Sequence, residues 1–67
     1  MQTFEFLVPG MTCAHCVAAV TEELQRVDGV ASVAIDLPSK SVVVVGDRLD
    51  RARLWAAVDE AGYEATD

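Results

Sequence analysis

Two cysteines, the only histidine and one of two methionines fall within Pro9-Gly10-Met11-Thr12-Cys13-Ala14-His15-Cys16. Two thiols three positions apart can serve three chemistries. They can close a disulfide staple, cycle as a thiol-redox pair, or clamp a metal ion. The staple is the weakest reading. A disulfide stabilises chiefly by constraining the unfolded chain, and so short a loop constrains it little. Structural disulfide frameworks also use more cysteines, spread along the chain. The composition, 52% hydrophobic, supplies a core without such help.

The elements that must position these residues follow from periodicity. Thr3-Phe4-Glu5-Phe6-Leu7-Val8 alternates, with Phe4, Phe6 and Val8 on one side, as in a half-buried strand. Pro9-Gly10 ends it. From about Ala14 to Arg26 the step changes, and Val17, Val20, Leu24 and Val27 form a helical stripe. Thr12 or Cys13 is placed to cap that helix, and Asp28-Gly29 to stop it, with glycine supplying a left-handed cap. Val30 to Leu37 alternates again. Leu37-Pro38-Ser39-Lys40 suits a type I turn, with Pro38 at its second position. Val42 to Val45 is a β-branched strand. Asp50 caps a second helix over about 51–61 that buries Leu54, Ala57, Val58 and Ala61. Gly62 ends it, and Tyr63-Glu64-Ala65-Thr66 offers a short last strand. The order β-α-β-β-α-β predicts an α+β, ferredoxin-like sandwich, a four-stranded antiparallel sheet with both helices on one face.

Bulk properties narrow the function. The length of 67 residues implies one domain over 1–67. The net charge of −6 opposes nucleic-acid binding, which depends on neutralising phosphates. An RNA-binding sheet of this topology would also present aromatic residues on its open face, where Leu7, Val43 and Val45 are expected instead. No secretory leader pattern is visible and no apolar run is long enough to insert in a membrane. A cytoplasmic protein with reduced thiols is expected. Reduced thiols favour a metal or redox role.

The predicted first loop lies at the start of the first helix. Free amide N–H groups and the positive end of the helix dipole favour anions there, so both thiols should ionise readily. Two adjacent thiolates repel, and a soft cation resolves the conflict. A closed zinc site wants four ligands, and this loop offers two sulfurs and at most one imidazole. Thiolates select Cu(I), which accepts two sulfurs and leaves room for an incoming thiol. Mercury and zinc carriage stay open as alternatives.

Gly10-Met11-Thr12-Cys13-Ala14-His15-Cys16 resembles the G-M-x-C-x-x-C signature of the heavy-metal-associated domain. That family includes bacterial copper chaperones of the CopZ type and the N-terminal domains of copper-transporting P-type ATPases. The resemblance extends to Gly29-Val30 after the first helix and Ala61-Gly62-Tyr63 after the second. It implies a Cu(I) carrier, not an enzyme, with Cys13 and Cys16 as metal ligands. It implies a copper-transporting P-type ATPase as partner, reached by stepwise thiolate exchange. A monomer is expected without metal, and a copper-bridged dimer is left open. An excised ATPase domain would have the same sequence features. A thioredoxin-like redox pair would want a different fold.

The remaining loop residues have plainer readings. Met11 matches a methionine that packs inward, and core packing is the simpler role beside thioether ligation. His15 lies about 100° round the helix from Cys16. It reads as a solvated side chain that either tunes thiol acidity or, in a shared copper cluster, ligates. Tyr63 matches an aromatic lid over the loop, with core packing as the alternative. Trp55 reads as edge-of-core packing with Arg51 able to stack on it. Leu7, Val43 and Val45 suggest an apolar stripe on the open sheet face, most simply scattered exposed residues.

Overall fold

The computed structural model describes residues 1–66. Its elements are β1 (Gln2–Leu7), α1 (Ala14–Gln25), β2 (Val30–Asp36), β3 (Ser41–Gly46) and α2 (Arg51–Glu60). The strands pair antiparallel in the order β1-β3-β2. Register follows the alternation. Phe4 and Val33 flank Val44, and Phe6 and Ile35 flank Val42, so large apolar side chains share one face. Phe6, Val42 and Val44 are buried there against Val20 and Leu24 of α1 and Leu54, Ala57 and Val58 of α2. Full burial of one such side chain stabilises by about 1.5–3 kcal/mol. Trp55 packs at the edge of this core, its ring centroid 4.7 Å from that of Phe6. The Arg51 guanidinium sits 4.8 Å over the indole, as the four-residue spacing allows.

On the opposite face Leu7, Val43 and Val45 are interspersed with polar residues, the simpler of the two expectations. Val45 lies between Thr3 and Ser32, Val43 between Glu5 and Ala34, and Leu7 beside Ser41. Polar neighbours separate the valines from Leu7, which is 38% exposed.

The fourth strand is a correction. Among the described residues the sheet has three strands, and the last segment contributes one bridge, Leu7 with Thr66. Both hydrogen bonds of that bridge measure 2.7 Å. Going inward from it, the next antiparallel pairing position on this side of β1 falls on Pro9. Proline has no N–H to give a ladder, and the chain turns away at Gly10. The partners in the other direction lie outside the described residues.

Helix ends also differ from expectation. α1 closes at Arg26, whose amide donates to Glu23 O at 3.2 Å while the Val27 amide donates to Leu24 O at 3.1 Å, without a glycine cap. Gly29, at φ +94°, serves a different purpose. Its carbonyl accepts from the Asp47 amide at 2.9 Å where β2 crosses the end of β3, and a Cβ on Gly46 would collide with that carbonyl. α2 behaves as its residues predict. The Asp50 side chain accepts from the Ala52 amide at 3.0 Å. Gly62, at φ +92°, lets its own amide reach Asp59 O and that of Tyr63 reach Val58 O, the paired bonds of a Schellman end. That end delivers Tyr63 to the loop before α1.

Candidate metal site

The loop joining β1 to α1 is held at two buried points. Val8 and Met11 are both fully buried, and the Met11 amide donates to Val8 O at 3.1 Å. Pro9-Gly10 between them bends outward and is exposed. The β2–β3 turn braces the same stretch. Lys40, at φ +60°, accepts from the Val8 amide at 2.9 Å and donates its Nζ to the Met11 carbonyl at 2.7 Å. Met11 therefore lies inward as core, not outward as a thioether toward the thiols.

Beyond Met11 the chain emerges. Cys13 is the N-cap of α1, extended at φ −153° and ψ 172°, and its side chain makes no capping bond. Its carbonyl accepts the first helical bond, from Val17 at 3.2 Å. Cys13 is exposed and Cys16, one turn on, is half-buried. The sulfurs stand 3.3 Å apart. That exceeds the roughly 2.05 Å of a disulfide and lies within hydrogen-bonding reach, so both are free thiols sharing a proton-sized gap. No acidic residue occupies the first turn of α1. The positive end of the helix therefore meets no competing carboxylate there.

The Cys16 thiol is pulled down to about 6. The main-chain amide of Thr12 contributes most, followed by the Tyr63 hydroxyl and then Cys13, and partial desolvation opposes them. Each favours the anion by offering it a hydrogen bond. Tyr63 is pushed up in return, because its hydroxyl donates to Cys16. Its ring lies over Gly10, with Cδ1 only 3.2 Å from where a Cβ on that residue would stand. A side chain at position 10 would press on the ring, which would have to shift by a few tenths of an ångström.

Cys13, Cys16 and Tyr63 converge as the sequence reading anticipates. His15 is exposed on the second residue of α1, and the groups that acidify Cys16 do not include its imidazole. Lys40 and the Thr12 main chain are participants that sequence reasoning missed. Lys40 is 29 positions from Met11, and no local pattern announces the contact. Among the described residues, no group of three or more His, Cys, Asp or Glu side chains could hold a metal. The arrangement is a pair of soft donors with an open side, unlike a closed four-ligand zinc centre. No helix among the described residues is long and apolar enough to cross a membrane.

The pattern of the heavy-metal-associated domain matches residues 5–64. The chain is 38% identical over 63 residues to the copper chaperone CopZ of Enterococcus hirae, covering 91% of each. It is 41% identical over 64 residues to a copper-exporting P-type ATPase of Vibrio cholerae, covering 96% of this chain and 7% of the ATPase. It is 34% identical over 67 residues to a mercuric transport protein periplasmic component of Pseudomonas fluorescens, covering 97% of this chain and 74% of that protein. Among solved structures, a CopZ metallochaperone superposes with a TM-score of 0.91 at 30% identity, covering 97% of this chain and all of that one.

Proposed function

Because the chain belongs to the heavy-metal-associated domain family, we propose that it carries Cu(I) on Cys13 and Cys16 and releases it by thiolate exchange. The observation that carries this reading is the free sulfur pair, 3.3 Å apart on an exposed loop. At neutral pH Cys16, held at about 6, is mostly thiolate, so little proton has to be displaced on binding. With metal–sulfur bonds of about 2.3 Å, two sulfurs bridge an ion at separations from about 3.8 Å (tetrahedral) to about 4.6 Å (linear). The thiols need only rotate apart modestly, and Cys13, unbound at the helix cap, is free to do so.

Exposure on one side suits delivery. An incoming thiolate attacks the ion, a three-sulfur intermediate forms, and one original sulfur leaves. No covalent bond of a substrate is made or broken, so the protein acts as a carrier and not as an enzyme. Its similarity to both a chaperone and an ATPase segment supports a copper-transporting P-type ATPase as the acceptor, with exchange in the cytoplasm. The same similarity supports a second reading, a metal-binding domain of such an ATPase. Mercury is a third, favoured by the near full-length likeness to the mercuric transport component.

The test is anaerobic Cu(I) titration against a chromophoric chelator, with Zn(II) and Hg(II) in parallel. One Cu(I) per chain is expected at low loading. Loss of a supporting group alone weakens metal sites 10- to 100-fold, so Cys13→Ser and Cys16→Ser should each cost more than about 100-fold. Serine variants that compete as well as the parent would end the two-thiolate reading. Preference for Hg(II) with feeble Cu(I) retention would replace copper with mercury.

A further inference from the structure

Lys40 makes a contact that neither hairpin geometry nor core packing requires. Its ammonium reaches back 29 residues to the Met11 carbonyl, 2.7 Å away in a partly buried position. Lysine chains lose much rotamer freedom when fixed, and most stay in water. The carbonyl it chooses has a particular partner. The oxygen of Met11 and the N–H of Thr12 belong to one planar trans peptide, and they point in opposite directions. The Thr12 amide, on the far side of that peptide, is the foremost group favouring the Cys16 anion. A positive donor on the oxygen draws electron density from the amide and strengthens the N–H on the far side. Chains of hydrogen bonds polarise one another in this way.

We propose that Lys40 is a positioning residue of the metal loop, fixing and polarising the Met11–Thr12 peptide that leads directly into Cys13. The bridge runs from ammonium to carbonyl and through the peptide plane to the Thr12 amide. The Lys40 main chain reinforces it by accepting from the Val8 amide at 2.9 Å. Lys40 thus clamps both sides of the exposed Pro9-Gly10 bend. Removing its charge leaves the hairpin intact but frees the peptide to tilt. The main chain that presents the two sulfurs is then less firmly placed, and the metal is held less firmly.

This inference rests on the metal-carrying reading above, so the experiment has an arm that needs no metal. In the metal-free protein the Thr12 amide proton resonance should move upfield in Lys40→Met and stay close to the parent in Lys40→Arg. In the second arm, Cu(I) competition at 25 °C uses proteins shown folded by circular dichroism. Lys40→Met should weaken retention about three- to tenfold, and Lys40→Arg should restore most of it. If Lys40→Met does not fold, Lys40→Gln, a donor without charge, takes its place with the same expectations. A variant that melts earlier, yet keeps the Thr12 resonance and the Cu(I) affinity of the parent, overturns the proposal by reducing Lys40 to a structural tie. An arginine variant that folds but rescues neither readout also overturns it. A parent that holds no Cu(I) refutes the carrier reading, and the Thr12 resonance then decides the peptide bridge by itself.

Discussion

Replacing Tyr63 with phenylalanine keeps the ring over Gly10 and removes only the hydroxyl that donates to Cys16. The hydroxyl is the second largest influence holding that thiol at about 6, below the usual 9.0. Losing one hydrogen bond to a charged, solvent-accessible sulfur should raise the midpoint by about one pH unit. The assay is the pH profile of alkylation by iodoacetamide. Both proteins carry Cys13→Ser, so that only Cys16 reacts. A rate at one pH would mislead. A rise of one unit cuts the thiolate fraction at the midpoint of the Tyr63 protein from about a half to about a tenth, but the remaining thiolate becomes about threefold more nucleophilic. The two effects offset to about a twofold net change, whereas the midpoint does not depend on the limiting rate. The sign extends to stability. The folded value of Cys16 is depressed, so between pH 9 and about 6 the unfolded chain binds more protons than the folded one. The contribution is complete above pH 9 and fades as pH falls through about 6. Tyr63→Phe should therefore flatten the fall in melting temperature across that window. Superimposable alkylation profiles with and without the hydroxyl would refute the assignment of Tyr63 as a donor to the thiolate.

Two further outcomes follow from burial and capping. Met11→Ala should cost about 2–5 kcal/mol by opening a cavity under the loop, and Met11→Leu less than about 1.5 kcal/mol, read from urea midpoints. If Met11 serves the core alone, the leucine variant keeps the Cu(I) affinity of the parent; a marked loss would make the thioether a ligand. Cys13→Ser should abolish tight Cu(I) binding yet unfold at the same or a higher urea concentration than the parent, by about 0.5–1 kcal/mol, because serine is a better cap.

Much of the fold was readable because its signals are local. Alternation placed β1 and β2, the β-branched run placed β3, the three- and four-residue steps placed α1, and Asp50 with Gly62 bracketed α2 nearly to the residue. The thiol pair was readable for the same reason: its spacing is a property of eight adjacent residues. What escaped depends on distant neighbours. Gly29 looks like a helix stop, but its freedom is used where its carbonyl meets Asp47, a contact across β2 and β3. The last segment has strand-like residues, but the ladder available to it runs into Pro9, which only the register of Leu7 with Thr66 reveals. Lys40 ends a turn and would ordinarily be assigned to solvent. Its clamp on Met11 arises because β3 runs antiparallel to β1 and brings the hairpin to the metal loop.

The two helices show where stability yields to chemistry. α2 begins with Asp50, an excellent cap whose carboxylate satisfies the Ala52 amide. α1 begins with Cys13, whose side chain caps nothing. By local rules the second choice is inferior by about 1 kcal/mol, an appreciable part of the roughly 3–10 kcal/mol that a chain of this size commands. Such departures are expected where function overrides packing. A serine, threonine or aspartate at position 13 would spend its oxygen on the helix and present a hard donor. Cysteine leaves the amides of the first turn free and its sulfur uncommitted. Order is instead supplied from beneath, by Val8 and Met11 in the core and by Lys40 across the bend. The main chain at the site is held while the Cys13 side chain is left without a capping bond. A carrier requires that division, since donors locked in place could grip an ion but could not yield it to the next thiolate.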